Sequence, residues 1–143
     1  MKIPAKIEYA YKAIIELAKA YETKKPVRVN TIAETQEISG KFLLQVMIQL
    51  KNAGLVKSVR GVAGGYLLSS SPKEISLQKV IEAVDTNLFE SSFLASRVLS
   101  PSEKPLANLW GKMSSDLREK FSRVCFDQLV LEAQIKENFI YKI

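Results

Sequence analysis

Apolar residues at Ile7, Tyr11, Ile14, Leu17, Ala18 and Tyr21 recur every three or four positions, with Lys6, Lys12, Glu16 and Lys19 between them. This spacing predicts an amphipathic helix from about Pro4 to Tyr21, with the proline at an early position where its missing N–H does no harm. The pattern breaks over residues 22–25, and Pro26, Val27 and Val29 suggest a brief extended piece. A short helix then starts between Val29 and Thr31, turns Ile32 and Ala33 inward and ends near Gln36. After a turn at Glu37 and Ile38, Ser39 is a good N-cap for a third helix from Gly40 to about Asn52, stopped by Gly54. On that helix Leu43, Val46, Met47 and Leu50 form one apolar stripe. Rotation by 100° per residue puts Lys41, Gln45, Ile48 and Asn52 opposite them, with Leu44 on the flank.

From Leu55 to Leu68 two β-prone runs fold back through Gly61, Gly64 and Gly65, which reads as a β-hairpin with Arg60 at the start of its tip. The extended piece at Val27 is placed to pair with it. Beyond a polar loop at residues 69–73, Ser76 caps a helix carrying Leu77, Val80, Ile81 and Val84 and ending near Asp85. No period survives from Thr86 to Pro105, a stretch with Ser91, Ser92, Ser96, Ser100 and Ser102. A long helix over 107–124 follows, with Leu109, Trp110, Met113, Leu117, Phe121 and Val124 on one stripe; it either pairs with its copy across a two-fold axis or packs inside the chain. Cys125 marks a break before a last helix, from Phe126 to about Glu137. Phe139, Ile140, Tyr141 and Ile143 make the end of the chain apolar enough to dock. The predicted fold is therefore mainly α with a small β-hairpin. It divides into a helix-turn-helix unit with a wing over 1–85, a loop over 86–105 and a C-terminal helical segment over 106–143.

Charge adds a direction to this picture. Of the net +6, residues 1–73 carry +7 and residues 74–143 carry −1. A basic N-terminal half is either a solvated lysine surface or a site for a polyanion, where neutralised phosphates release counterions. On the third helix, Lys41 and Gln45 face outward, suited to phosphate and to an adenine edge. Leu44 and Ile48 are unusual on a solvent-facing side: either Leu44 meets thymine methyl groups in a major groove, or both simply pack on neighbouring elements. Double-stranded DNA is the expected partner and a membrane is not: the apolar runs are short and charge-interrupted, and MKIPAKIEY lacks the apolar core of a signal peptide, so a cytoplasmic location is expected.

The segment ISGKFLLQVMIQLKNAGLVKSVRGVAGGYLL, with KIEYAYKAIIELA before it and VIEAVD after it, resembles the IscR/NsrR/CymR, or Rrf2, family of bacterial winged-helix regulators. The wing motif RGxxGGYxL, here Arg60 to Leu68, is its most specific part. The resemblance implies a cytoplasmic homodimeric regulator, read here as a repressor, whose recognition helix enters the major groove and whose wing arginine probes the minor groove. Matched position by position, Lys6 and Tyr9 belong to the family's N-terminal pattern. Ser39 and Lys41 open the recognition helix, Gln45 is its polar contact, and Arg60 with Gly61, Gly64 and Gly65 makes the wing contact. Two departures bear on the operator: Pro4 stands where the family often has Ser or Thr, and Leu44 where many members carry Glu.

The resemblance also implies three cysteines in the 86–105 loop of the cluster-binding relatives. Here that loop holds none, the chain has no histidine, and its one cysteine is Cys125. Iron–sulfur clusters need thiolate or imidazole ligands, so the expected cofactor is none and the chain resembles the clusterless branch. Leu88, Phe89, Phe93, Leu94, Val98 and Leu99 either cover the core or receive a protein effector; a small-molecule effector is equally open. Cys125 is either a small buried residue or a redox-sensing thiol. The absence of histidine, of an activated cysteine setting and of a P-loop Gly-Lys-Ser/Thr argues against an enzyme. A winged-helix interaction module without DNA remains the alternative, since a fold does not dictate its function.

Overall fold

The computed structural model describes residues 2–90 and 98–142, with side chains described up to Glu137. Helix α1 spans Ala5–Lys19, with Pro4 extended at its N-cap, and buries Ile7, Ala10, Ala13, Ile14, Ile15, Leu17 and Ala18. The predicted helix end at Tyr21 is instead a 3-10 turn, Tyr21–Thr23, closed by Lys24 in the left-handed region. Helix α2, Val29–Gln36, ends on Glu37 at φ 54°, and the backbone returns from Ile38 N–H to the Ala33 carbonyl at 2.9 Å. That tight reversal sets α3, Gly40–Asn52, across α2. The Ser39 hydroxyl accepts from the Phe42 N–H at 3.4 Å, and Leu43, Val46, Met47 and Leu50 are all buried. Gly54, at φ 78°, supplies the left-handed residue that turns the chain into the hairpin.

Strand β1 (Val56–Val59) pairs antiparallel with β2 (Gly65–Leu68), Val56 opposite Leu68 and Val59 opposite Gly65. The extended piece before α2 joins them at one point, a bridge in which Val27 and Tyr66 exchange N–H···O bonds of 2.9 and 2.8 Å. Helix α4, Leu77–Val84, is capped by the Ser76 hydroxyl, which accepts from Lys79 N–H at 3.2 Å.

Helix α5 runs Lys104–Ser122, beginning before the expected Ala107 because Pro105 is accommodated in its first turn, where no N–H partner is required. Val124 is a correction: it lies beyond the helix end, and its carbonyl accepts from Leu77 N–H at 2.8 Å, so it is not part of the α5 stripe. The reciprocal bond, Phe126 N–H to the Ile75 carbonyl at 3.0 Å, completes a bridge between Ser76 and Cys125 that ties the start of the last helix to the start of α4. Helix α6 spans Phe126–Lys142, longer than the sequence pattern indicated. It packs on α1, with the Phe126 ring fully buried and 5.8 Å from that of Tyr11, so the C-terminal helix shares the core of the first 85 residues. The side chains of Phe139, Ile140 and Tyr141, and residues Ser91, Ser92, Phe93, Leu94, Ser96 and Ile143, lie outside the description.

Candidate nucleic-acid interface

Because α3 buries one face completely, its other face is committed to the outside. Lys41, Leu44, Gln45, Ile48 and Asn52 are all exposed, and Leu44 and Ile48 keep 46 % and 48 % of their surface. Neither packs on a neighbouring element deeply enough to be core. Beside them opens a cleft of about 440 Å³ lined by Lys6, Phe42, Gln45, Val46, Ile48 and Gln49. Lys6 reaches this cleft from α1 and pairs with Asp85, at the end of α4, at 3.7 Å. Tyr9 supports α3 from beneath: its hydroxyl accepts from Ser39 N–H at 3.3 Å and its ring meets Phe42 edge-on, centroids 4.8 Å apart. The hydroxyl is thereby engaged with the backbone at the N-cap of α3, while Ser39 and Lys41 stay exposed at the helix N-terminus, a favourable place for an anion.

Arg60 is exposed at the wing tip, followed by Gly61 at φ 110°. The other two glycines serve the wing itself. Gly64 is buried, and a Cβ there would lie 2.2 Å from the Val59 carbonyl oxygen; a Cβ on Gly65 would lie 2.5 Å from that of Val27. Their close approach is internal, closing the turn and admitting the Val27 bridge, so of the three glycines Gly61 is the one on the outer surface. Two basic residues that periodicity could not single out also belong to this face. Lys51 donates to the Ser58 hydroxyl at 2.9 Å, fixing α3 to β1, and the Arg28 guanidinium donates to the Val62 carbonyl at the wing tip. The signal for Lys51 lay only in its charge, and for Arg28 in its charge and in the predicted contact between the extended piece and the hairpin.

The predicted α5 stripe divides. Leu109, Trp110 and Met113 are more than half exposed, joined by Leu106, and Ala107 is the only buried residue of the helix. Leu117 is half-buried, and Phe121 is turned toward the chain's own Phe89, centroids 5.9 Å apart. Arg118 anchors the helix on α4 through Glu82, with Nη2 at 3.2 Å from a carboxylate oxygen. The hydrogen bond from Arg118 holds the Glu82 carboxyl below the usual carboxylate range; burial opposes it less strongly, and the hydrogen bond from Gln78 adds to the lowering. On α1, burial pulls the Lys19 ammonium down, but Glu137 of α6 at 3.0 Å and Glu16 outweigh it and leave its pKa raised.

A helix-turn-helix of α2 and α3 followed by a two-stranded hairpin, with an exposed arginine at its tip, defines a winged-helix DNA-binding regulator. The Rrf2 family, described as an iron-dependent transcriptional regulator, matches residues 3–132, and the chain belongs to that family. It is 33 % identical over 129 residues to the HTH-type transcriptional regulator CymR of Bacillus subtilis (strain 168), covering 90 % of this chain and 89 % of that one. The solved structure of CymR, the global cysteine regulator of B. subtilis, superposes with a TM-score of 0.73 over 92 % of this chain and 98 % of that one at 32 % identity. That of T. potens IscR gives 0.75 over 93 % and 88 % at 28 % identity. The Synechocystis regulator slr0846 is 40 % identical over 88 residues, where the match spans 62 % of this chain and 59 % of that protein. No described helix is long and apolar enough to cross a membrane.

An iron site tests poorly against these residues. The chain has no histidine and one thiol, and among the described residues no three His, Cys, Asp or Glu side chains gather as a metal site. Cys125 stands at the α4–α6 bridge, remote in sequence from the 86–105 loop. The donor set does not fit an iron–sulfur centre.

Proposed function

We propose that the chain is a cytoplasmic, homodimeric, operator-specific repressor that works without an iron–sulfur cluster. The observation that carries this reading is the outward face of α3, where Lys41, Leu44, Gln45 and Ile48 stand exposed on a helix whose opposite side is fully buried. Exposed leucine and isoleucine cost free energy in water, and a major groove offers thymine methyl groups to offset it. Gln45 reads an adenine edge, Lys41 and Ser39 take phosphates at the helix N-terminus, and Lys6 flanks the same cleft. Arg60 enters the adjacent minor groove, where narrowing by A·T-rich sequence strengthens the negative potential. The unburied stripe Leu106, Leu109, Trp110 and Met113 supports a two-fold pairing of α5 with its copy. Two recognition helices then imply a near-palindromic operator with half-sites spaced by about one turn, roughly 34 to 36 Å, or a little more. With no ligands for a cluster, the signal is a protein or small-molecule effector.

Binding selection from a randomised duplex, with wild type and variants at two salt concentrations, tests the reading. Arg60→Ala costs about 1 to 3 kcal/mol and relaxes preference at flanking positions; Gln45→Ala relaxes inner positions; Lys41→Ala weakens all sequences alike and flattens the salt dependence. If Arg60→Ala keeps both affinity and sequence profile, the hairpin is not a reading wing. A promoter–reporter fusion carrying the selected site distinguishes repression from activation.

A further inference from the structure

The wing is well fastened at its base and almost unfastened at its tip. Below Gly65 it has the β1–β2 ladder and the Val27–Tyr66 bridge. Above it, residues 60–64 share one turn bond, Gly64 N–H to the Gly61 carbonyl at 3.0 Å, and Val62 is 92 % exposed with no apolar anchor. Among the described residues one side-chain hydrogen bond joins the body of the protein to this tip, from the Arg28 guanidinium to the Val62 carbonyl. The backbone arranges this. A Cβ on Gly65 would stand 3.0 Å from the Arg28 backbone nitrogen, so the missing side chain there lets the Val27–Arg28 segment lie against the hairpin. Arg28 occupies the N-cap of α2 but makes no side-chain cap bond, leaving its side chain to extend to the wing.

We propose that Arg28 is a positioning residue for DNA recognition: by holding the Val62 carbonyl it pre-orders the tip and sets the direction in which Arg60 leaves it. A tip of Gly61, Val62, Ala63 and Gly64 would otherwise lose its freedom on binding DNA, and ordering a loop in advance removes that cost from the association step. This rests on Arg60 reading the minor groove, as proposed above.

A double-mutant cycle on the selected operator separates the possibilities, using full-length wild type, Arg28→Ala, Arg60→Ala, the double variant and Arg28→Lys. Arg28→Ala weakens binding roughly 3- to 10-fold, the scale of one hydrogen bond. The double variant binds no more than about twofold more weakly than Arg60→Ala, because Arg28 acts through Arg60. Arg28→Lys, which keeps a charged donor, recovers part of the loss, and thermal melting of all variants stays near wild type because the tip is exposed. Multiplying effects, together with a salt slope lower by about one for Arg28→Ala, would make Arg28 a phosphate contact in its own right and overturn the positioning role. An Arg28→Ala protein that binds as wild type while Arg60→Ala does not overturns it as well. A silent Arg60→Ala removes the wing reading itself and the role of Arg28 with it.

Discussion

The phenolic oxygen of Tyr9 on α1 accepts a hydrogen bond from the backbone N–H of Ser39, 3.3 Å away, at the N-cap of α3. The helix that buries more residues than any other described element thereby grips the first turn of the helix that faces outward, so the pitch of α3 is set by α1 and not by the turn alone. Tyr9→Phe keeps the edge-on contact with Phe42 and removes only this bond. The expected loss of stability is about 0.5 to 1.5 kcal/mol, toward the lower end because Ser39 is exposed to water, with a parallel loss of operator affinity. Melting curves and a binding titration measure both. Wild-type values for the phenylalanine variant would reduce Tyr9 to its ring.

Assembly is tested at the residues that the single chain leaves bare. Trp110 is 54 % and Met113 59 % exposed, so a glutamate at either is solvated in a monomer but desolvated without a partner in a dimer. Trp110→Glu and Met113→Glu are expected to sediment as folded monomers with wild-type helix content at concentrations where wild type is a dimer. Leu117→Glu, at a half-buried position, is expected to lower stability as well. A monomeric wild type removes the claim.

The α4–α5 junction has a pH signature. Arg118 holds the Glu82 carboxyl below its ordinary range in the folded protein, so the pair contributes stability above the unfolded-state pKa of about 4.3. That contribution is lost as pH falls through the lower folded-state value. The melting temperature of Glu82→Gln is therefore expected to lie slightly below wild type near neutrality, and the gap is expected to close in acid. Both side chains keep substantial solvent contact, so the gap is small and shrinks in high salt. A gap that widens as pH falls contradicts the assignment.

Cofactor chemistry makes a negative prediction with a definite readout. Anaerobic reconstitution with iron and sulfide is expected to give no stoichiometric thiolate-to-iron absorption, and Cys125→Ser is expected to bind the operator as wild type does. One cluster per subunit or dimer, lost in the serine variant, would make Cys125 a ligand.

Much of this protein was legible as pattern. The 3.6-residue period in α1, α3 and α4, the caps at Ser39 and Ser76, and the stop at Gly54 are local signals, because a helix face and its end groups are decided within a few residues. The hairpin was legible for the same reason, and the exposed face of α3 followed from which side of the helix its core residues left free.

Contacts between distant segments were decided only by the tertiary structure. Nothing local to Cys125 announces its bridge to Ser76, or that Phe126 closes the core against Tyr11, since backbone pairing across nearly 50 residues leaves no period in either partner. The stripe on α5 was visible, but periodicity cannot tell Trp110, left bare, from Phe121, turned toward Phe89. Arg28 looked like one basic residue among many until the fold laid its backbone against Gly65 and brought its guanidinium to the wing tip. Amphipathic spacing determines which face a segment buries; what that face meets, and which charges end up beside one another, depends on how the segments are stacked.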